Sequence, residues 1–262
     1  MNIVVCIKQV PDTTEIKIDP VKNTLIRTGV PSIMNPFDKN ALETGLQLKD
    51  QYGGKVTVIS MGPPQAKAVL REALSMGADD AWLITDRAFG GSDTYATSYI
   101  LSQAIGKLGP FDVILGGKQA IDGDTGQTAP SIAEHLDAVR LTYILDLQVD
   151  GDKVIARRQV EEGIEVIETV LPVLCTATKE SNKPRYGTVK RKIASLKAEI
   201  PEITLADLVG ADQSKMGLKG SPTKVKATFT PQRTASGVNI EGNNPAEMAG
   251  SLIVKLADAK IL

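Results

Sequence analysis

The strongest constraint on this chain is an alternation, over its first 140 residues, of short, continuously apolar runs with segments of helical period. Ile3-Val4-Val5-Cys6-Ile7 shows no polar alternation, as expected of a strand covered on both faces. Residues 55–60 are rich in β-branched side chains and stop at Gly62-Pro63-Pro64. Residues 81–84 and 112–115 repeat the pattern, the last stopping at Gly116-Gly117. Between them, residues 65–76 place Ala66, Val69, Leu70, Ala73 and Leu74 on one face, and residues 93–108 do the same with Ala96, Ile100, Leu101, Ala104 and Ile105. A further helix is expected over 36–52, opened by Asn35-Pro36 with Asn35 as its cap. Strands alternating with helices of this length predict an α/β fold: a mostly parallel sheet with flanking helices, Rossmann-like, that binds ligands at the C-terminal ends of its strands.

Two segments depart from the alternation. Residues 16–19 and 24–27 alternate around Pro20 to Asn23 and predict a small hairpin at the edge. Beyond residue 140, four strand-like runs (144–149, 153–160, 163–170 and 172–178) are joined by Gly151-Asp152 and Glu162-Gly163, and predict an antiparallel extension. From Lys179 the chain turns basic and irregular, and residues 200–243 are rich in Pro, Gly, Lys, Ser and Thr. Ordering such a stretch costs roughly 1–2 kcal/mol of backbone entropy per residue, so it either wraps another chain or packs on its own domain. Asn244-Pro245-Ala246-Glu247 opens a last helix with an apolar stripe at Leu252, Ile253, Leu256 and Ala259. The expected division is an α/β domain with its extension over 1–180, and a partner-wrapping arm with a terminal helix over 181–262.

Composition narrows the function classes. The 262 residues carry 30 basic against 31 acidic side chains, without the basic excess of nucleic-acid-binding domains. The only cysteines, Cys6 and Cys175, lie in apolar runs and read as buried thiols. The single histidine, His135, has no nucleophile motif near it and reads as structural, and no clustered ligand set points to a metal. The opening Asn2-Ile3-Val4-Val5 lacks the basic region and long apolar stretch of a signal peptide, and no apolar run reaches membrane-spanning length. A cytoplasmic protein without membrane insertion is expected.

The segment with most chemical content is Gly116-Gly117-Lys118-Gln119-Ala120-Ile121-Asp122-Gly123-Asp124-Thr125-Gly126-Gln127-Thr128. It leaves a predicted strand and enters a helix expected to begin near Thr125. Its glycines let backbone amides approach an anion, Thr125 and Thr128 add hydroxyls, and the helix start adds unpaired N–H groups. It is neither a P-loop nor the GxGxxG fingerprint. Asp122 and Asp124 would repel a pyrophosphate, which assigns them to capping, loop bracing or ribose hydroxyls. The loops at Cys6 to Gln9, Asn35 to Asp38, Ser60 to Pro63 and Gly90 to Thr94 reach the same sheet edge.

These segments together resemble the β subunit of electron-transfer flavoproteins. The resemblance rests on Val5-Cys6-Ile7-Lys8-Gln9-Val10, Asn35-Pro36-Phe37-Asp38, residues 73–79, Gly117-Lys118-Gln119-Ala120-Ile121-Asp122, Asn182-Lys183-Pro184-Arg185-Tyr186 and Pro231-Gln232-Arg233-Thr234-Ala235. It implies a heterodimer with an α subunit, and a nucleotide on this chain: AMP in the ordinary branch, a second FAD in the electron-bifurcating branch. The continuation Gly123-Asp124-Thr125-Gly126-Gln127 resembles the bifurcating branch. The implied activity is hydride acceptance from NADH, with electrons divided between ferredoxin or flavodoxin and, through the FAD of the α subunit, an acyl-CoA dehydrogenase or reductase, a chemistry of anaerobic metabolism. The chain would be part of an oxidoreductase complex and not catalytic alone, with no catalytic side chain of its own.

Carried across, the resemblance places the adenosine part against Cys6, Asn35, Pro36, Phe37, Asp38 and Met61. It places the phosphates against Gly123, Thr125, Gly126, Gln127 and Thr128, with Gly117, Gln119, Asp122 and Asp124 nearby and Thr94 toward the flavin. The segment after Tyr186 resembles the loop with which the family grips its dehydrogenase partner, although the usual Ile-Met-Lys/Arg-Ala-Lys-Lys run is replaced here by Gly187-Thr188-Val189-Lys190-Arg191-Lys192-Ile193.

Overall fold

The computed structural model describes residues 1–12, 18–19, 24–25, 31–227 and 237–262. The expected parallel sheet is present. Strands β1 (Asn2–Cys6), β6 (Lys55–Met61), β7 (Asp80–Ile84) and β8 (Val113–Gly117) all run parallel. Between them come β2 (Gln9–Pro11) paired with β5 (Ser32–Met34), and the two-residue pair β3 (Ile18–Asp19) and β4 (Thr24–Leu25). The pairing of β3 with β4 agrees with the expected hairpin, whose remaining residues lie outside the described ones.

Helices α1 (Pro36–Tyr52), α2 (Lys67–Met76) and α3 (Thr94–Leu108) connect the strands, and α4 (Thr128–His135) follows β8. The period of two along β1 sorts its side chains. Ile3, Val5 and Ile7 pack with Leu42, Leu46, Val69 and Leu70 of α1 and α2. Val4 packs with Ile100, Ile105 and Ile132 of α3 and α4 on the opposite face. The result is a sheet between two helical layers.

Beyond α4 come β9 (Val139–Asp150), β10 (Lys153–Val160), β11 (Gly163–Val170) and β12 (Val173–Ala177). Strands β9, β10 and β11 are antiparallel, as expected. Strand β12 corrects the expectation: it runs parallel to both β8 and β9, between them, with all five residues buried. Its run, Val173-Leu174-Cys175-Thr176-Ala177, does not alternate, which is the pattern of a strand covered on both faces. Strand β9 starts earlier than expected because its first residues pair with β12 and its later ones with β10.

The sheet order is β11-β10-β9-β12-β8-β1-β6-β7-β13, where β13 (Glu202–Ile203) closes the far edge parallel to β7. From β1 the chain first builds outward through β6 and β7. It then returns to place β8 on the other side of β1. The gap between β1 and β8 is therefore the point where strand order reverses, where open α/β sheets carry their ligand crevice.

The segment after residue 180 returns to this body. Helix α5 (Val189–Lys197) packs on α2. Ile200, Ile203, Leu208 and Met216 are buried. After the short helix α6 (Gly217–Gly220), Ser221 accepts from the amide of Asp93 at 2.9 Å. Much of the stretch expected as an extended arm thus lies on its own domain. By contrast, α7 (Pro245–Asp258) buries no residue. It starts as expected, with Asn244 Oδ1 accepting from Glu247 N at 3.0 Å. No helix among the described residues is long and apolar enough to cross a membrane.

The return is anchored on α1. The amides of Asn40 and Asn182 bond reciprocally at 2.9–3.0 Å. Glu43, 5 % exposed, accepts from Arg185 Nε at 2.9 Å and Nη2 at 3.0 Å, and Arg185 reaches Asp50 at 2.8 Å. Removing the guanidinium leaves the buried Glu43 carboxylate with only the backbone amide of residue 185, at 3.0 Å, so Arg185→Ala should lower the unfolding free energy by about 2–4 kcal/mol. Urea denaturation checks this, and a change below about 0.5 kcal/mol would show that the pair does not anchor the segment.

Candidate functional site

At the β1/β8 reversal lies a cavity of about 430 Å³. Its walls come from the C-terminal ends of β1, β6 and β8, the loop entering α3, and the glycine-rich loop entering α4. Cys6, Asp38, Met61 and Thr94 line it, as do Gly117, Gln119, Gly123, Asp124, Thr125, Gly126 and Thr128. Asn35, Pro36, Phe37, Asp122 and Gln127, named from the sequence, do not line it.

These five act from behind the wall. Asn35 begins α1 as expected, but its side chain does not cap it. The first-turn amides of Asp38 and Lys39 bond the Asn35 carbonyl instead, at 3.0 and 3.1 Å. That frees the side-chain amide to cross to the glycine-rich loop, donating to the Gln119 carbonyl at 2.8 Å and accepting from Ile121 N at 3.2 Å. Phe37 backs Gly117: a Cβ on that glycine would lie 2.7 Å from Phe37 Cβ and 2.4 Å from Asp38 Oδ1. Pro36 sets the first helical position. Asp122 pairs with Lys8 Nζ at 2.6 Å. Gln127 stands immediately before α4, which starts at Thr128 rather than near Thr125.

The two aspartates of the loop therefore brace it, one of the roles expected for them. Asp122 ties it to the end of β1, and Asp124, at φ 52°, accepts from Gln119 Nε2 at 2.9 Å. Gly126 (φ 62°) makes the final bend before α4, a conformation that costs glycine little. The hydroxyls of Thr94 and Thr125, both on the cavity wall, stand 3.5 Å apart.

Asp38 is a strongly perturbed group. Its carboxylate accepts from Lys8 N at 2.7 Å and Gly117 N at 3.0 Å, joining the ends of β1 and β8. Burial pushes its pKa up to about 7, against the pull of those two amides. Burial, with the neighbouring Asp38 charge, pushes the Cys6 thiol up to about 12. Cys6 is thus a neutral wall group and no nucleophile. His135 packs edge-on between the rings of Tyr95 and Tyr99, each at 5.6 Å, and does not line the cavity.

Sequence reasoning missed Thr97 and Leu101, which continue the wall from Thr94. Their spacing of i, i+3 and i+7 along α3 is one helical stripe, a signal that was present. It also missed Phe89, on the loop before α3, which has no comparable signal.

A three-layer α/β body with a glycine-rich crevice at its strand-order reversal defines the class. The model of the electron transfer flavoprotein domain matches residues 22–208. The chain is 55% identical to the electron transfer flavoprotein subunit beta of Thermoanaerobacterium thermosaccharolyticum over 93% of each chain. It is 51% identical to that of Megasphaera elsdenii over the whole of both. It is also 48% identical, end to end, to a caffeyl-CoA reductase–Etf complex subunit of Acetobacterium woodii. The chain belongs to the electron transfer flavoprotein family.

Two outcomes follow from the buried wall. The folded pKa of Asp38 lies above its unfolded value of about 3.9. The folded state therefore holds a proton that the unfolded state has lost, and stability falls as pH rises from about 4 to about 7. Asp38→Asn should remove that component, so the parent's melting temperature falls relative to the variant's as pH rises through this window, and the two run parallel above it. Asn35→Ala, which removes both bonds to the part-buried Gln119 carbonyl and Ile121 amide, should cost about 1–2 kcal/mol in denaturant titration.

Proposed function

We propose that this chain is a β subunit whose β1/β8 cavity holds a FAD that takes hydride from NADH and passes electrons to ferredoxin or flavodoxin and, through the FAD of the α subunit, to an acyl-CoA dehydrogenase or reductase. The observation that carries the choice of FAD is Gly123. It lines the cavity, and a Cβ built on it meets nothing within 4 Å. A larger residue there would project into open space beside the loop, so glycine keeps room for a second phosphate. The relative from the caffeyl-CoA reductase–Etf complex supports an acyl-CoA-linked acceptor.

The residues fit such a group. The adenosine end suits the wall of Cys6, Asp38 and Met61, behind which Asn35 to Phe37 hold the glycine-rich loop. The phosphates suit Gly123, Thr125, Gly126 and Thr128, where α4 presents its first amides and Gln127 precedes them. Thr94, opposite Thr125, suits the flavin end. The protein's part is binding, orientation and exclusion of water, since the cofactor carries the electron chemistry.

The surface of α5 supports a dehydrogenase contact. Val189, Ile193 and Leu196 are exposed along it beside Lys190 and Lys192. Tyr186, just upstream, is 96 % exposed. The exposed α7, carrying Leu252 and Ile253, suits the α subunit.

A second reading, an electron shuttle with AMP as a structural filler, is favoured by the size of the cavity. At about 430 Å³ it is small among cofactor cavities of roughly 300–1,000 Å³ and suits a single nucleotide half. Cofactor analysis of the purified heterodimer separates the two: two FAD per αβ pair is expected, whereas one FAD and one AMP would establish the second reading. Gly123→Asp should lower FAD retention more than AMP affinity, because the carboxylate repels either ligand's phosphate but takes the space of only the second, and should leave thermal stability unchanged.

A further inference from the structure

Resting on the nucleotide reading of the cavity, we infer that Lys118 supplies the side-chain charge that the ligand's phosphate requires, and that Tyr143 is the residue that positions it. The cavity is otherwise poor in free positive charge. Two lysines line it, Lys8 and Lys118, together with three carboxylates, Asp38, Asp93 and Asp124. Lys8 is committed to Asp122 at 2.6 Å. Lys118 forms no ion pair among the described residues.

Its place is built. The Lys118 amide donates to the Ala177 carbonyl at 2.9 Å, fixing the residue where β8 ends beside β12. Its own carbonyl lies 3.4 Å from where a Cβ of Gly126 would stand. Lys118 therefore abuts the bend that leads into α4. The ammonium faces the ring of Tyr143, 5.1 Å from the centroid, a contact that holds a cation without neutralising it.

Tyr143 reaches this position through strain. It has φ 60°, a conformation few residues other than glycine adopt. It sits where the β9/β12 register shifts between Cys175 and Ala177, and its amide donates to Thr176 Oγ1 at 2.9 Å. A bulge at a sheet's ligand-bearing edge re-aims a side chain, and strain maintained by specific bonds marks a constrained position. Here the bulge turns the ring of Tyr143 toward Lys118.

The test uses the αβ heterodimer stripped of the nucleotide on this chain, titrated calorimetrically with AMP and with adenosine. Lys118→Gln should weaken AMP roughly 10- to 100-fold and leave adenosine unchanged, and Lys118→Arg should restore most of the AMP affinity. Tyr143→Ala should show the same phosphate-specific loss, and Tyr143→Phe none. Tyr143→Gly should raise the melting temperature by relieving φ, yet still lose AMP affinity, which separates positioning from folding. Equal losses for AMP and adenosine, or no loss for either, would overturn the assignment of Lys118. A loss in Tyr143→Phe matching that in Tyr143→Ala would overturn the role of the ring. Failure of the parent heterodimer to bind AMP or FAD would overturn the nucleotide reading itself, and this inference with it.

Discussion

The structure depends on two buried side chains at the start of α1. Asp38 bonds the amides of Lys8 and Gly117, and Asn35 bonds Gln119 and Ile121. Parallel strands separate once their ladder ends, and β1 and β8 separate at the reversal of strand order. The two polar side chains span that separation and hold the glycine-rich loop at a fixed height above the sheet. Glycine at 117 is a consequence, since any Cβ there would collide with Phe37 and Asp38. A buried polar network of this kind is costly when incomplete and specific when satisfied.

Once the loop is held, its electrostatics follow. Asp122 and Asp124 are taken up by Lys8 and Gln119. The bend at Gly126 delivers α4 to the cavity wall at Thr128. An anion there meets helix amides; the Asp122 charge is paired by Lys8 from outside the loop, whereas Asp124 is braced by the neutral Gln119 amide and keeps its charge at the cavity wall. The other end of α1 serves the surface: Asn40 and Glu43 secure residues 182–185, from which α5 and its exposed apolar side chains extend. One helix thus positions both the crevice and the face proposed to meet a redox partner.

Much of this was legible in the sequence, for identifiable reasons. β1, β6, β7 and β8 are apolar runs bounded by turn residues, and local pattern suffices to find them. The order of strands is not a local property, so the position of β12 had to come from the structure, although its unbroken apolar run was a clue. The segment over 200–221 looked irregular because it is held by single anchors, Ile200, Ile203, Leu208 and Met216, at no regular period. The glycine-rich loop was recognisable as a cradle from glycine and threonine content alone. The reach of Asn35 was not, because a residue before a helix-opening proline reads equally well as a cap. Tyr143 was invisible for the same kind of reason: no residue type announces a positive φ at a bulge.

The central claim is that the crevice at the β1/β8 reversal is where the nucleotide sits. Hydrogen–deuterium exchange of the heterodimer, before and after removal of its nucleotide, tests this at the level of single segments. The account predicts that removal raises exchange in residues 116–128, at Lys8 and in the loop before α3, with little change in the β9–β11 extension. Exchange unchanged in 116–128, or changes confined to the extension or to α7, would contradict it.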